Sequence, residues 1–378
     1  MRKMVPGSVL FFLLLTACAS HKMPAKPSVE AKQTVATRLW SAQALAGPGQ
    51  KHLNLQPTAS DTVVYVADYK GSVMARSLES NALLWKTHLK TPLSVGPVVE
   101  GDLLVVGSEH GKLFALDIHQ GKLQWKASLP TTVLAKPSLD KEAVYVTTID
   151  SHVTAFNRKT GTQRWTSTHA QPALILRGGS QPVEEGNTLF VGTYDGKLLA
   201  FSKETGALLW DKSIALPKGR TEVERMVDIV ADLKQNDHRI VVATYQGKIA
   251  AVNADNSSLE WQRDFSVYQN FSVSQEAVYL TDQEGIISAL DSRTGATLWQ
   301  QTGLKGRSPT GPQVIGPWVV AGDGAGYLYW FQASNGQLTS IEDVGEAMSI
   351  QPIVANNILI VYGKKGHWAA FKPIRRTP

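Results

Sequence analysis

The feature that most constrains this chain is that it repeats itself. The stretches GKLFALDIHQGKLQW (Gly111–Trp125), SHVTAFNRKTGTQRW (Ser151–Trp165), GKLLAFSKETGALLW (Gly196–Trp210), GKIAAVNADNSSLEW (Gly247–Trp261) and GIISALDSRTGATLW (Gly285–Trp299) are variants of one unit. GSVMARSLESNALLW (Gly71–Trp85) is a weaker variant, and GYLYWFQASNGQLTS (Gly326–Ser340) carries serine where the tryptophan belongs. A spacing of about 40 residues matches a propeller blade. Within a unit, LLVVGS or AVYVTT reads as a strand, GKLFAL alternates as the next, and ATLW opens the outermost. Between the last two, DSRTG is a hairpin turn whose glycine accepts positive φ. A short innermost strand, such as KPSL, makes four. One such sheet cannot bury both faces, so the units must pack on one another around a ring. The recurrent tryptophan is placed to wedge between neighbouring sheets, covering roughly 150–250 Å² each.

The two ends settle the number of blades. GHWAAFKPIRRTP (Gly366–Pro378) opens an eighth unit that lacks its tryptophan strand, whereas ATRLWSAQAL (Ala36–Leu45) is a tryptophan strand with no unit before it. Pairing the two closes the ring and leaves no bare edge between blades. The expected fold is therefore an all-β, eight-bladed β-propeller spanning residues 37–378, its last blade completed by the N-terminal strand; seven blades is the alternative.

The chain's start has another character. Arg2 and Lys3 precede VLFFLLL (Val9–Leu15), an apolar run of seven residues, too short to span a bilayer, which takes about 20. Leu15–Cys18 (LTAC) follows, with small residues before the chain's sole cysteine. This is the layout of a secretory signal over residues 1–17, and LTAC resembles the bacterial lipobox. That resemblance implies lipidation of Cys18, and Ala19 after it implies sorting to the outer membrane. Residues 18–36, polar with two prolines, read as a flexible tether.

Composition excludes several classes. Basic residues exceed acidic ones by six in the full chain; removal of Arg2 and Lys3 leaves four (6 − 2), spread without a basic stripe, so no nucleic-acid partner is expected. One cysteine permits no internal disulfide. The nine histidines show no metal spacing, and no acidic run has calcium-loop spacing. GDGAG (Gly322–Gly326) leads into a strand rather than a helix and reads as a turn, not a phosphate loop. No Gly-x-Ser-x-Gly elbow occurs, and the sequons at Asn256 and Asn270 carry little meaning in a bacterial envelope protein. No catalytic residue, metal or cofactor is expected.

The repeat rhythm breaks in two consecutive places. From the unit tryptophan to the next innermost strand, Trp85–Pro97 and Trp125–Pro137 each span twelve residues, but Trp165–Pro182 spans seventeen and Trp210–Val230 twenty. Connections of this class emerge on one face, so the two long ones should lie side by side. Lengthened loops on a rigid scaffold are where function usually sits. The first contains ALILRGGSQP (Ala173–Pro182), in which Leu174 and Leu176 should point the same way when extended and Arg177 follows, a combination suited to a binding hot spot or to packing under the next blade. The second contains EVERMVDIVADL (Glu222–Leu233), where Val223, Met226, Val227 and Val230 have helical spacing. The repeat register instead places Ile229–Ala231 on an innermost strand, and the strand is the expectation.

The lipobox, the eight repeats, LILRGGSQP and TEVERMVD together resemble the BamB family of propeller lipoproteins of the outer-membrane β-barrel assembly machinery, over essentially the whole mature chain. The resemblance implies a non-enzymatic adaptor, lipid-anchored in the outer membrane and facing the periplasm. It implies docking on a periplasmic POTRA domain of the central barrel subunit, BamA. Contact with nascent outer-membrane proteins through strand edges is a second expectation, from the physics of edge pairing, and no residue identifies which edge. The family's Leu-x-Leu-Arg contact residues fall on Leu174, Leu176 and Arg177, and its Arg-x-x-Asp-x-Asp loop on Arg225 and Asp228. Its second acid is missing, because Val230 stands there; Asp232, two residues on, is the candidate substitute. The TG-x-x-x-W hairpins also resemble quinoprotein dehydrogenases, which share the architecture but are longer and hold their quinone on a paired-cysteine ring. A scaffold binding a small ligand in the central channel is the third reading.

Overall fold

The computed structural model describes residues 23–29, 33–49 and 53–374; Cys18 and the signal-like segment lie outside them. Among the described residues there is no helix, and the strands form eight four-stranded antiparallel sheets. Blade 1 spans residues 58–88, blade 2 93–128, blade 3 138–168, blade 4 183–213, blade 5 234–265, blade 6 272–301 and blade 7 313–343. Blade 8 takes three strands from residues 353–373 and its outermost from Ala36–Gln43. That last ladder pairs Ala36 with Pro373, Trp40 with Ala370 and Gln43 with His367. The eight-bladed ring and its closure by both ends are as the repeat arithmetic requires.

Each blade buries the faces of its two middle strands, whose β-branched and aromatic residues are almost wholly inaccessible, for example Val144, Tyr145, Val146 and Phe156. The recurrent tryptophan fixes one blade to the next. Trp125 of blade 2 donates its indole N–H to the Arg158 carbonyl of blade 3 at 2.7 Å. Trp85, Trp165, Trp261 and Trp299 do the same to Ile118, Lys203, Ser292 and Ala333 at 2.8–2.9 Å. The acceptor lies in the neighbour's outer hairpin, whose turn is capped by Asp117, Asn157 or Asp291 in three of these five joints, as Asn157 Oδ1 does for the Lys159 and Thr160 N–H groups. Its glycine is needed twice over. Gly161 has φ +68°, and a Cβ there would stand 2.5 Å from the Trp125 ring.

Blade 7 shows why Ser340 breaks the motif. In the other seven blades each tryptophan sits opposite an alanine on the adjacent strand, as with Trp125 and Ala115. In blade 7 the pair is inverted: Ser340 faces Trp330, which is fully buried. The next sheet is blade 8, whose two outer strands come from opposite ends of the chain, so no hairpin stands there to receive an indole. The large side chain has crossed the ladder into the core beside Phe371, and Val35 and Ala36 cover the edge.

GDGAG is the turn between the second and third strands of blade 7. The expected innermost strand at Ile229–Ala231 is not observed: blade 5 begins at Lys234–Asn236. Residues 226–232 instead run buried beneath the ring's surface, and their hydrogen bonds go to neighbouring turns, with Ile229 N–H to Thr193 O at 3.0 Å. The helical spacing before them corresponds to one turn. Thr221 Oγ1 accepts the Glu224 N–H at 3.2 Å and Glu224 Oε2 accepts those of Arg220 and Thr221, a capping box around a single turn.

Candidate docking site

Connections from outermost to next innermost strand all leave by one face of the ring, here the upper face. The two long ones, residues 169–182 and 214–233, lie side by side on it. Between them is a groove of about 370 Å³, lined by Ala173 and Leu174 from the first loop, Glu222, Arg225 and Met226 from the second, and Tyr194 from the turn beneath. ALILRGGSQP is neither a strand nor a buried segment. Leu174 is 40% exposed, Leu176 is half-buried and Arg177 exposed, so the two leucines differ in exposure. Across the groove Val223 is 57% exposed, and Arg225 is exposed beside it.

What holds an irregular loop in one shape is a pair of buried carboxylates from the other loop. Asp228, with no accessible surface, accepts the Leu176 N–H at 2.8 Å. Asp232, equally buried, accepts the Gln181 N–H at 3.0 Å. Tyr194 adds a third tie, donating its hydroxyl to the Gly178 carbonyl at 2.7 Å. Leu174 and Arg177 are thus displayed by a segment pinned at residues 176, 178 and 181.

The two carboxylates differ electrically. Burial pushes Asp228 up to about 6, against the pull of the Leu176 N–H, and its Oδ2 has no hydrogen-bond partner among the described residues. Burial would raise Asp232 too, but the Lys136 and Lys234 charges outweigh it and hold the carboxyl below its ordinary range. Asp232 pairs with Lys136 Nζ at 2.8 Å and accepts from Asn270 Nδ2 at 2.8 Å. Lys136 continues to Gln56 and Gln56 to the Gln351 carbonyl, a polar network across the ring's centre.

The structure therefore brings Leu174 and Arg225 to one groove and ties Leu176 to the buried Asp228 beside it, whereas Arg177 lies outside the groove's lining and reaches toward blade 2. Asp232 is turned inward and ties down the loop's far end; the missing acid at Val230 leaves an apolar side chain 3.5 Å from where a Cβ on Gly178 would stand. Two residues could not have been picked out from their local sequence. Tyr194 acts through the loop's backbone, and Glu109, from a turn of blade 2, pairs with Arg177 at 3.1 Å.

A family model described as outer membrane protein assembly factor BamB matches residues 69–301 and 283–373. The chain belongs to the BamB family. A BamB relative from Alkalilimnicola ehrlichii, an outer membrane protein assembly factor, is 36% identical over 361 residues, covering 95% of this chain and 94% of that protein. The crystal structure of BamB from Moraxella catarrhalis superposes with a TM-score of 0.82 at 24% identity, over 89% of this chain and all of that one. A quinohemoprotein alcohol dehydrogenase from Comamonas testosteroni superposes at 0.72 with 14% identity, over 91% of this chain and 78% of that one, and shares the fold alone. BamB relatives are assembly factors rather than enzymes, and their work is at the outer membrane.

Proposed function

We propose that the protein is a non-enzymatic adaptor of the outer-membrane barrel-assembly machinery, and that the two long loops of its upper face dock a periplasmic POTRA domain of a BamA-like subunit. Leu174 supplies the apolar anchor, Arg177 and Arg225 the directed polar contacts, and Asp228 acts from below by fixing the Leu176 backbone. Cys18 carries the lipid that retains the protein at the periplasmic side of the outer membrane. The observation that carries this reading is the mutual clamp: exposed apolar and cationic side chains on an irregular loop held by buried carboxylates form a preorganised surface, which lowers the ordering cost of association.

Arg177 already has a partner in Glu109, so docking exchanges or extends that pair rather than satisfying a free charge. Leu174→Ala and Arg177→Ala should each leave the melting temperature within a few degrees and abolish co-purification with the barrel-assembly subunit. Retention of the complex by both variants sinks the assignment. The exposed leucine pairs on outer strands, Leu83 with Leu84 and Leu208 with Leu209, are where an unfolded barrel protein would add a strand. A pull-down with unfolded barrel substrate that recovers only background removes that second role.

A further inference from the structure

The N-terminal segment is seated on the propeller before it reaches blade 8. Residues 23–29 lie along the upper rim of blades 6 and 7, and the seat is built from buried charge. Arg307, 3% exposed in its side chain, pairs through Nη2 with the wholly buried Asp323 at 2.6 Å. Its Nε donates to the same carboxylate at 2.8 Å and to Tyr329 Oη at 3.0 Å, and Tyr329 donates to Asp323 at 2.8 Å. The remaining nitrogen, Nη1, points outward and donates to the Pro24 carbonyl. Lys26 Nζ stands 4.5 Å above the Tyr327 ring. Two glycines leave room for the segment: a Cβ on Gly306 would be 3.1 Å from Pro24, and one on Gly324 would be 3.2 Å from Met23. A guanidinium held this rigidly loses little freedom in capturing a carbonyl.

The seat belongs to the same face as the docking loops. Gly303–Arg307 follows the outer strand of blade 6, as residues 169–182 follow that of blade 3, and Gly324 N–H donates to Arg307 O at 3.1 Å.

We infer that the upper rim of blades 6 and 7 is the edge of the propeller that lies against the lipid surface, held there because the Arg307 seat captures the N-terminal segment at Pro24. The inference rests on the reading of Cys18 as the lipidated residue. Five residues separate Cys18 from Met23, a reach of at most about 18 Å at full extension; unseated, the eighteen from Cys18 to Ala36 would allow about 60 Å. The seat thus converts a long leash into a short one with a fixed exit point and turns the docking face toward the membrane side.

The test uses the full-length acylated protein in vesicles of phosphatidylethanolamine and phosphatidylglycerol containing a headgroup-nitroxide lipid. A fluorophore is placed at Lys305→Cys, beside the seat, or at Lys159→Cys, on the lower face of blade 3; both positions are exposed, and acylated Cys18 does not react. Quenching at 305 should exceed that at 159 by about threefold or more. Arg307→Lys keeps a charge for Asp323 but lacks the fork that reaches Pro24, and should bring quenching at 305 down to the value at 159. If that variant folds poorly, about twenty Gly/Ser residues inserted between Cys18 and Met23 release the propeller from its short leash while sparing the buried pair, and should lower quenching at 305 in the same way. Equal quenching at the two sites in the parent protein, or quenching at 305 that persists in a folded release variant, overturns the inference. Co-purification with the barrel subunit is read on the same samples: an intact complex with equal quenching rejects the seat alone, whereas failure to bind vesicles rejects the reading of Cys18 and the seat with it.

Discussion

The joints between blades and the two long loops of the upper face solve one problem by different means. Each must hold backbone segments from separate sheets in a defined relation. The joint does so with a repeated device of indole, carbonyl and glycine, in which apolar area supplies most of the energy and the hydrogen bond the register. The loops do so once, with carboxylates that have no exposed surface and accept backbone N–H groups. Because the joint is apolar and periodic it is insensitive to pH and can be used all round the ring. Because the clamp is polar and singular it shapes one surface and leaves the rest alone. The ring is stabilised by many equal parts, whereas the candidate site depends on a few unequal ones.

The comparison can be broken first at the joints. Trp125→Ala should cost roughly 3–5 kcal/mol, read as the shift of a denaturant midpoint, whereas Ser340→Ala at the equivalent position of blade 7 should cost under about 1 kcal/mol. Trp330→Ala should restore the larger loss. Equal effects at 125 and 340 would show that the inverted pair of blade 7 has no bearing on packing.

The clamp should respond differently. Asp228→Ala removes the acceptor of the Leu176 N–H, a loss of about 1–3 kcal/mol for an unsatisfied buried donor, offset in part by relief of the buried carboxyl. Global stability should change little, while affinity for the barrel subunit falls about tenfold or more. Hydrogen exchange sharpens this: the Leu176 amide should lose protection and the Gln181 amide, held by Asp232, should keep it. Loss at both amides would mean that the loop is pinned as one unit.

The smallest effect is electrostatic. The folded value of Asp228 lies above its unfolded one, from 3.8 to about 6. Its favourable contribution is therefore fully present below about 4 and is lost as the pH rises through about 6, where burying the ionised carboxylate becomes a cost. Asp228→Asn does not titrate. Its stability relative to the parent should be lowest near pH 4 and rise between pH 4 and 7. A difference independent of pH would mean that Asp228 does not titrate there.

Much of this was legible in the sequence, for a physical reason. A device used repeatedly leaves a period, so blade number, the place of each tryptophan and closure through Trp40 follow from spacing. The positions where the period stretches locate the candidate site. The inversion of Trp330 and Ser340 was visible only as a missing tryptophan, because compensation acts across a ladder rather than along the chain. Residues 226–232 read as part of a helix by the spacing of their apolar groups and as a strand by the repeat register. They are neither, since Asp228 and Asp232 must turn inward to meet backbone donors more than fifty residues away. Glu109 and the Arg307 seat join segments far apart in the chain, and their local sequence is that of ordinary turns.

Blade 8 has a consequence for the order of folding. Its outermost strand, residues 36–43, precedes every other strand, yet its partner, residues 367–373, follows them all. A chain delivered amino end first must keep the earlier ribbon unpaired until nearly the whole length has arrived. The entropy of joining such distant segments grows only logarithmically with their separation, so the obstacle is waiting rather than energy. Until then both Ala36–Gln43 and the last sheet expose unsatisfied edges, and the nascent molecule has its greatest need of a chaperone in the moments before the circle shuts.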